Sequence, residues 1–346
     1  MQKIRLGLMG FGLIGRQLYQ LATERNDVEI AVVSDIGQPE ILHHLLMHEM
    51  RDDECRLAGN RLEHDRFATR MLRTDQPHEV PWDAFGVNAV VDATARFRSQ
   101  AHMRAHLDNG ANRVVLSSLP LDAIDRLVIP GVNTGEARAS DRMISAGSAS
   151  TTALALVLKV LSDKFDIRVA SMTSVHAYTS DQSLQDYAGP DYRRSRSGAE
   201  NIIPNTTEAP RWVETALPKL EGKLDGYALN VPVQKGSLLD LSIVFEDPKV
   251  GAKEVDDAMI EAADRLPNLI AVAHDPIVSS DVIGCRQSVL FDLRGTMKAG
   301  KRMVKALAWH ESRGHAGRIL DVLTLYASID AAQSGAASPS ARGARR

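Results

Sequence analysis

Residues 4–35 constrain the fold more than any other stretch. They run as an apolar segment, IRLGLM, a turn, GFGLIG, a helical stretch, RQLYQLATERN, a second apolar segment, VEIAVVS, and then Asp35. Two apolar strands joined by a helix form a β-α-β unit, and the strands of such a unit lie parallel with the helix crossing over one face. Between strand and helix, Gly10-Phe11-Gly12-Leu13-Ile14-Gly15 is a G-x-G-x-x-G, and Asp35 stands 20 residues past its last glycine. In that context the motif predicts a dinucleotide site. The glycines permit the tight turn and close approach of the backbone to a pyrophosphate, and the free N–H groups of the helix start meet the phosphates. Asp35 accepts hydrogen bonds from the adenosine ribose and repels a 2′-phosphate, which favours NAD over NADP.

The same alternation returns in VNAVVDAT, AHMRAHLDNG and RVVLSS, so the first third predicts a parallel sheet with helices on both faces. After residue 148 the pattern changes. A helix over about 150–164 leads into IRVASMTSVHAYT, where Ile167, Val169, Ser171, Thr173 and Val175 share one face. GYALNVPV and SLLDLSIVFED read as long strands, and AKEVDDAMIEAADRL as a helix. This is an α+β pattern on a half-exposed sheet. A last helix, GRILDVLTLYASIDA, precedes a small, polar tail expected to be disordered over 333–346.

Composition removes several function classes. A net charge of −3 over 346 residues gives no footprint for nucleic acid or an anionic membrane. Two cysteines, Cys55 and Cys285, make no disulfide framework or zinc cluster, and they suit a reducing compartment. No apolar run reaches the roughly 20 residues of a membrane span, and MQKIRLGLMGFG enters a strand without a signal-peptide core; both predict a cytoplasmic protein. His43, His44 and His48 in HHLLMHEM lack the context of a metal motif and read as a solvated helix face, so no metal is expected.

GFGLIGR, GVN, SVHAYTSDQ, NIIPNTTEA and VKALAW, in this order, resemble the phosphorylating glyceraldehyde-3-phosphate dehydrogenase family from about residue 2 to residue 330. That family shows GFGRIGR, GVN, ASCTTN, TVHAYTxDQ, NIIPSTTGA, RVPTPxxSVVDL and a final WYDNExGYSNR. The resemblance implies an α/β chain with a Rossmann dinucleotide-binding domain over 1–148 and an α+β catalytic domain with a mostly antiparallel sheet over 149–315. It also implies a C-terminal helix, 316–332, returning to the first domain, NAD as cofactor, a small-molecule substrate that the resemblance allows to be phosphorylated, and a homotetramer. The stretch of about 180–200 would reach across a subunit interface. Cofactor contacts carried over are Gly10, Phe11, Gly12, Leu13, Ile14, Gly15, Asp35, Thr94, Ser117 and Ser312. Substrate contacts are Ser148, Ser150, Thr151, Thr179, Asp181, Arg196, Thr207, Glu208 and Asn230, with His176 as general base.

The departures matter as much. The family's nucleophilic cysteine falls on Ala149 when counted without a gap through the helix, or on Ser150 when the Thr-Thr pairs are matched. The ungapped reading is preferred, because a gap inside a helix rotates its buried face. Either way there is no thiol, and a serine hydroxyl is a far weaker nucleophile without strong base assistance. The phosphate-gripping arginine of RVPTP is Asn230, the glycine of STTGA is Glu208, and the asparagine of YDNExGY is Ser312 in HESRGH, one residue shorter. Loss of a bidentate guanidinium and gain of a carboxylate both oppose phosphate binding. Lys235, Arg211 or Arg193 and Arg194 could compensate or be solvated surface charge. Three altered subsites argue against replacement of one cysteine by design. Two readings follow: an oxidoreductase diverged in substrate that uses His176 without a thioester, and a catalytically silent relative kept as a dinucleotide-binding sensor or scaffold.

Overall fold

A computed structural model describes residues 3–50, 55–179 and 182–336. It is an α/β structure dividing into two compact units. Among the described residues, one unit takes those up to Val128, Thr134–Ala146 and Ile319 onward; the other takes Ile129–Asn133 and Gly147–Arg318.

The first unit runs β1 (Ile4–Met9), α1 (Leu13–Thr23), β2 (Val28–Ser34), α2 (Pro39–Glu49), β3 (Cys55–Ala58), β4 (Arg61–His64), β5 (Phe67–Leu72), β6 (Ala89–Asp92), α3 (Gln100–Asp108), β7 (Arg113–Leu116), β8 (Arg126–Leu127) and β9 (Met143–Ser145). Its sheet has the order β3-β4-β5-β2-β1-β6-β7-β9-β8. From β5 to β8 every pairing is parallel, while β3, β4 and β5 form an antiparallel meander that the sequence reading did not anticipate. Val90, Val114, Met103 and Trp82 sit in one apolar cluster of this unit, all without solvent exposure. Chain order reverses at β1, whose neighbours are β2 and β6, and the crevice beyond such a strand end is where open α/β sheets bind ligands.

The second unit runs α4 (Ala149–Lys164), β10 (Ile167–Ala177), β11 (Ile203–Asn205), α5 (Ala209–Ala216), β12 (Leu224–Val231), β13 (Ser237–Phe245), α6 (Ala252–Arg265), β14 (Ile270–Ala273), β15 (Val289–Ala299) and β16 (Met303–His310), and then begins α7 (Ser312–Ala336). Its seven strands lie in the order β11-β12-β10-β13-β16-β15-β14. Only the β10–β12 and β14–β15 pairings are parallel, so the sheet is mostly antiparallel.

Two expectations are corrected. Ile167 does not share a face with Val169, Ser171, Thr173 and Val175. The register shifts between Ile167, opposite Phe245, and Val169, opposite Val244, and one extra residue in a period-two strand sends later side chains to the other face. Ile167 is buried with Ala170, Met172 and Ser174, whereas Val169 is 46% exposed. The C-terminal helix is longer than 316–332. Glu311 accepts hydrogen bonds from the Arg313 N–H and the Ser312 hydroxyl, both at 2.7 Å, so helix begins at Ser312 despite Gly314 and Gly317. Its far end carries on through 333–336, which the expected tail included; residues 337–346 lie outside the described residues.

From Ile319 onward α7 belongs to the first unit and is bound into it by polar contacts. Tyr326, buried, donates to Asp141 Oδ2 at 2.8 Å, and its ring lies 4.5 Å from the Arg113 guanidinium, which also grips Asp330 through two nitrogens. Burial and the Asp141 carboxylate both push the Tyr326 hydroxyl far up, so it remains a donor.

Ala95 is the single non-glycine residue with positive φ among the described residues, at 57°. Left-handed backbone strains a residue that carries a Cβ. Ala95→Gly is expected to stabilise the chain by about 1 kcal/mol: relief of left-handed strain is worth about 1–2 kcal/mol, less about 0.4–1 kcal/mol for the added freedom of the unfolded chain. Urea denaturation of both forms measures it, and a lower midpoint for the glycine form contradicts the strain.

Candidate functional site

In the first unit the predicted cofactor residues gather at the carboxyl ends of β1, β2, β6 and β7. Gly10, at φ 90°, passes so close to the next turn that a Cβ would lie 3.0 Å from the backbone of Ala93 and Thr94. A Cβ on Gly15 would meet the Gly10 carbonyl at 2.3 Å, so this glycine lets α1 close onto the strand end. A Cβ on Gly12 would meet nothing within 4 Å, leaving open space before the helix start. Gly12 is the N-cap and offers no side-chain acceptor, and the first turn of α1 has no acidic residue. The opening N–H groups of Leu13 and Ile14 are therefore left for an anion. These features fit a pyrophosphate.

Asp35 is locked in place. Its Oδ2 accepts from the Phe11 N–H at 2.7 Å and its Oδ1 from the Gly37 N–H at 2.9 Å. Each carboxylate oxygen keeps a further lone pair for a ribose hydroxyl. Thr94 is held from below by Asp92, whose Oδ1 accepts from the threonine N–H at 2.9 Å and its hydroxyl at 2.6 Å. Trp82 Nε1 donates to His106 Nδ1 at 3.2 Å, which leaves the His106 Nε2–H to donate to Asp92 Oδ2 at 3.3 Å. The backbone N–H of Ser117 donates to the Asp92 carbonyl at 2.9 Å. Asp92 was missed in the sequence; its signal was the spacing Asp-Ala-Thr, in which an aspartate bonds the backbone two residues on.

In the second unit the polar residues collect where α4 begins. Thr151 to Leu158 are all buried, and α4 lies on the inner face of the sheet, with Leu154 and Leu158 beside Ala170 and Met172 around a small cavity. Two residues separate α4 from β10, so the chain reverses and the start of α4 lies toward the His176 end of β10. Ser148 is the N-cap: its Oγ accepts from the Thr151 N–H at 3.2 Å and lies 2.8 Å from Thr151 Oγ1. The Ser150 hydroxyl reaches Ser148 Oγ at 3.2 Å, not an imidazole. Ala149, part-exposed, opens the helix, and the first turn contains no acid. Its free N–H groups form an electropositive end.

His176 pairs across the sheet with Asn230. Its Nδ1 is 2.6 Å from the Ala177 carbonyl. A carbonyl only accepts, so Nδ1 carries a proton, and it is Nε2 that presents the lone pair of the neutral imidazole. Ser312 donates its hydroxyl to Glu311 at 2.7 Å.

The predicted phosphate residues do not assemble a cationic site. Arg196 turns to Asp186, with Nε 3.0–3.1 Å from both carboxylate oxygens, and Arg194 to Asn205. Glu208 is exposed and lies 3.6 Å from Arg211. Thr207 Oγ1 caps the start of α5 by accepting from the Ala209 N–H at 3.2 Å. Thr179 is exposed at the end of the turn after β10, and Asp181 lies outside the described residues. His44 and His48 meet at 3.2 Å on α2, and His43 donates to the Cys55 carbonyl. Among the described residues no three His, Cys, Asp or Glu side chains gather as metal ligands.

Sequence reasoning also passed over His310, visible only as the histidine replacing tyrosine in HESRGH. It is 2% exposed, its ring centroid is 6.1 Å from that of His176, and burial together with His176 and His315 pushes its pKa down to about 3.

Residues 4–100 match the model for the glyceraldehyde 3-phosphate dehydrogenase NAD binding domain, and residues 148–312 match the model for the C-terminal domain of the same enzyme. Glyceraldehyde-3-phosphate dehydrogenase 1 of Bacillus subtilis is 36% identical over 326 residues, covering 92% of this chain and 97% of that protein. Glyceraldehyde-3-phosphate dehydrogenase of Mycobacterium tuberculosis is 36% identical over 340 residues, 93% of this chain and 98% of its own length. The Streptomyces coelicolor enzyme of that name is 36% identical over 328 residues, with 92% and 97% covered. With both domain models matched in order and this identity sustained along the chain, the protein belongs to the glyceraldehyde-3-phosphate dehydrogenase family.

Proposed function

We propose that this chain is an NAD-dependent oxidoreductase that acts on a small hydroxyl- or aldehyde-level substrate without a covalent thioester. NAD is its cofactor, and bound NAD supplies the hydride acceptor. The observation that carries the reading is the state of His176. Its proton is on Nδ1, so Nε2 accepts a proton from a substrate hydroxyl, the task of a general base. The start of α4, with Ser148 as its cap and Ala149 in place of a nucleophile, presents N–H groups suited to the oxygen that gains negative charge. Asn230 beside His176, Arg196 held by Asp186 and Glu208 near Arg211 favour a substrate that carries no phosphate at this end. The protein would work as a cytoplasmic homotetramer, in keeping with its family and with the absence, among the described residues, of a helix long and apolar enough to cross a membrane.

Two measurements test this. NADH formation is followed with unphosphorylated aldehydes and alcohols, and with glyceraldehyde 3-phosphate plus phosphate, for the wild type, Ala149→Cys and His176→Asn. The wild type turns over an unphosphorylated substrate, and His176→Asn lowers that rate by a factor of about 10²–10⁴. Ala149→Cys gains no strong activity on glyceraldehyde 3-phosphate, because a thiol alone does not rebuild the anion site. Strong activity in that variant would overturn the reading, and NAD binding with no turnover of any substrate would favour the silent sensor or scaffold.

Cofactor choice is tested separately by equilibrium binding. Asp35→Asn keeps an acceptor but removes the charge, so the Kd for NAD rises about tenfold, in line with a charge-assisted bond of about 1.5–3 kcal/mol reduced to a neutral one. Discrimination against NADP narrows at the same time. Unchanged affinity for both would place the ribose away from Asp35.

A further inference from the structure

His310 occupies a position that the oxidoreductase reading does not use. Cross-strand pairing sets Asn230 of β12 opposite His176 of β10. Val175 opposes Leu238, which brings His176 beside Ser237 of β13, and Ser237 opposes His310 of β16. Asn230, His176, Ser237 and His310 thus form one transverse row over four strands. Alternation puts all four on the helix-covered face: Ala228, Ser174, Leu239 and Ala308, two residues away in each strand, are buried. The row ends the sheet on the side where α4 begins.

The Nε2 atom of His310 is buried, and among the described residues no donor or acceptor lies within hydrogen-bonding distance. An unmade bond of this kind opposes folding, so a group left this way in a polar row is matched to something else that binds there. Its partner is not an anion. The groups that bear on its charge are His176 from β10 and His315 from α7, and both oppose protonation, as does burial. Glu311, next in the chain, is turned to the Ser312 hydroxyl and the Arg313 N–H at the start of α7. A neutral imidazole cannot offset the charge of a phosphate, but it donates to or accepts from a hydroxyl or carbonyl equally well.

We propose that His310 contacts the substrate through Nε2, pairing with an uncharged oxygen beside the one served by His176, and that the site thereby selects small unphosphorylated hydroxy-aldehydes or polyols over phosphorylated ones. This rests on the oxidoreductase reading above.

Isothermal titration of the NAD-loaded protein with D-glyceraldehyde and with glyceraldehyde 3-phosphate tests the assignment in the wild type, His310→Phe and His310→Gln. The wild type binds D-glyceraldehyde at least about tenfold more tightly than the phosphorylated compound. His310→Phe loses about tenfold in affinity for D-glyceraldehyde, the scale of one hydrogen bond, with the Kd for NAD unchanged. His310→Gln, which keeps a donor and an acceptor, stays within about threefold of wild type by the same scale. Independently of any variant's folding, the His310 Nε2 resonance of ¹⁵N-histidine-labelled wild type shifts on addition of D-glyceraldehyde. Equal affinity in His310→Phe with no shift of that resonance overturns the inference and leaves the oxidoreductase reading standing. Tighter binding of the phosphorylated compound also overturns it. A wild type that binds NAD but neither compound overturns the inference, while the oxidoreductase reading is decided by the turnover measurements above.

Discussion

The seating of α4 on the mostly antiparallel sheet is the constraint from which the second unit follows. Thr151 to Leu158, Val160 and Leu161 are all buried, so this helix is surrounded by the sheet and by α5 and α6 rather than resting on a surface. Each fully buried leucine or valine contributes on the order of 1.5–3 kcal/mol. Rotation or sliding of the helix would exchange that burial for cavities, and cores pack too densely to absorb such a change. The start of the helix is consequently held at the His176 end of β10. Chemistry at Ala149, Ser150 or any replacement there inherits a position set by leucines several turns away.

The first unit solves a similar problem with glycine. Gly10 and Gly15 allow α1 to close on the end of β1, and Gly12 leaves the space in front of the helix clear. Both units thus present the start of a helix whose first turn contains no acid. They differ in what surrounds it. At α1 a locked carboxylate, Asp35, stands ready for a ribose. At α4, Asn230 and a buried imidazole stand in the row that holds His176, and Arg194, Arg196 and Arg211 are directed to partners of their own.

Much of this was legible along the chain because it is written in local patterns. The strand, glycine turn, helix and acid of residues 4–35 lie within one β-α-β unit, and the fold class followed from them. The meander β3–β5 was not read, because CRLA, RLEH and FATRML are interspersed with charged residues and lack the apolar runs of β1 and β2. The buried face of β10 was misjudged for a different reason. A single irregularity between Ile167 and Val169 reversed the alternation, so Val169, Thr173 and Val175 lie on the face opposite buried Ile167. The start of α7 was placed too late, since two glycines masked a helix that Glu311 caps.

The sequence by itself determined the architecture, the dinucleotide fingerprint, the identity of His176 as the candidate base and the absence of a cysteine at the start of α4. Each depends on residue type at a given spacing along the chain. Tertiary structure decided what those residues are able to do. The lone pair that a neutral His176 presents at Nε2 is set by the Ala177 carbonyl, which the folded backbone brings to Nδ1. The row from Asn230 to His310 joins positions up to 134 residues apart (176 to 310), through strand pairings that no local pattern encodes. A side chain's charge, tautomer and unmet hydrogen bond depend on what is packed against it, and that is a property of the folded sheet.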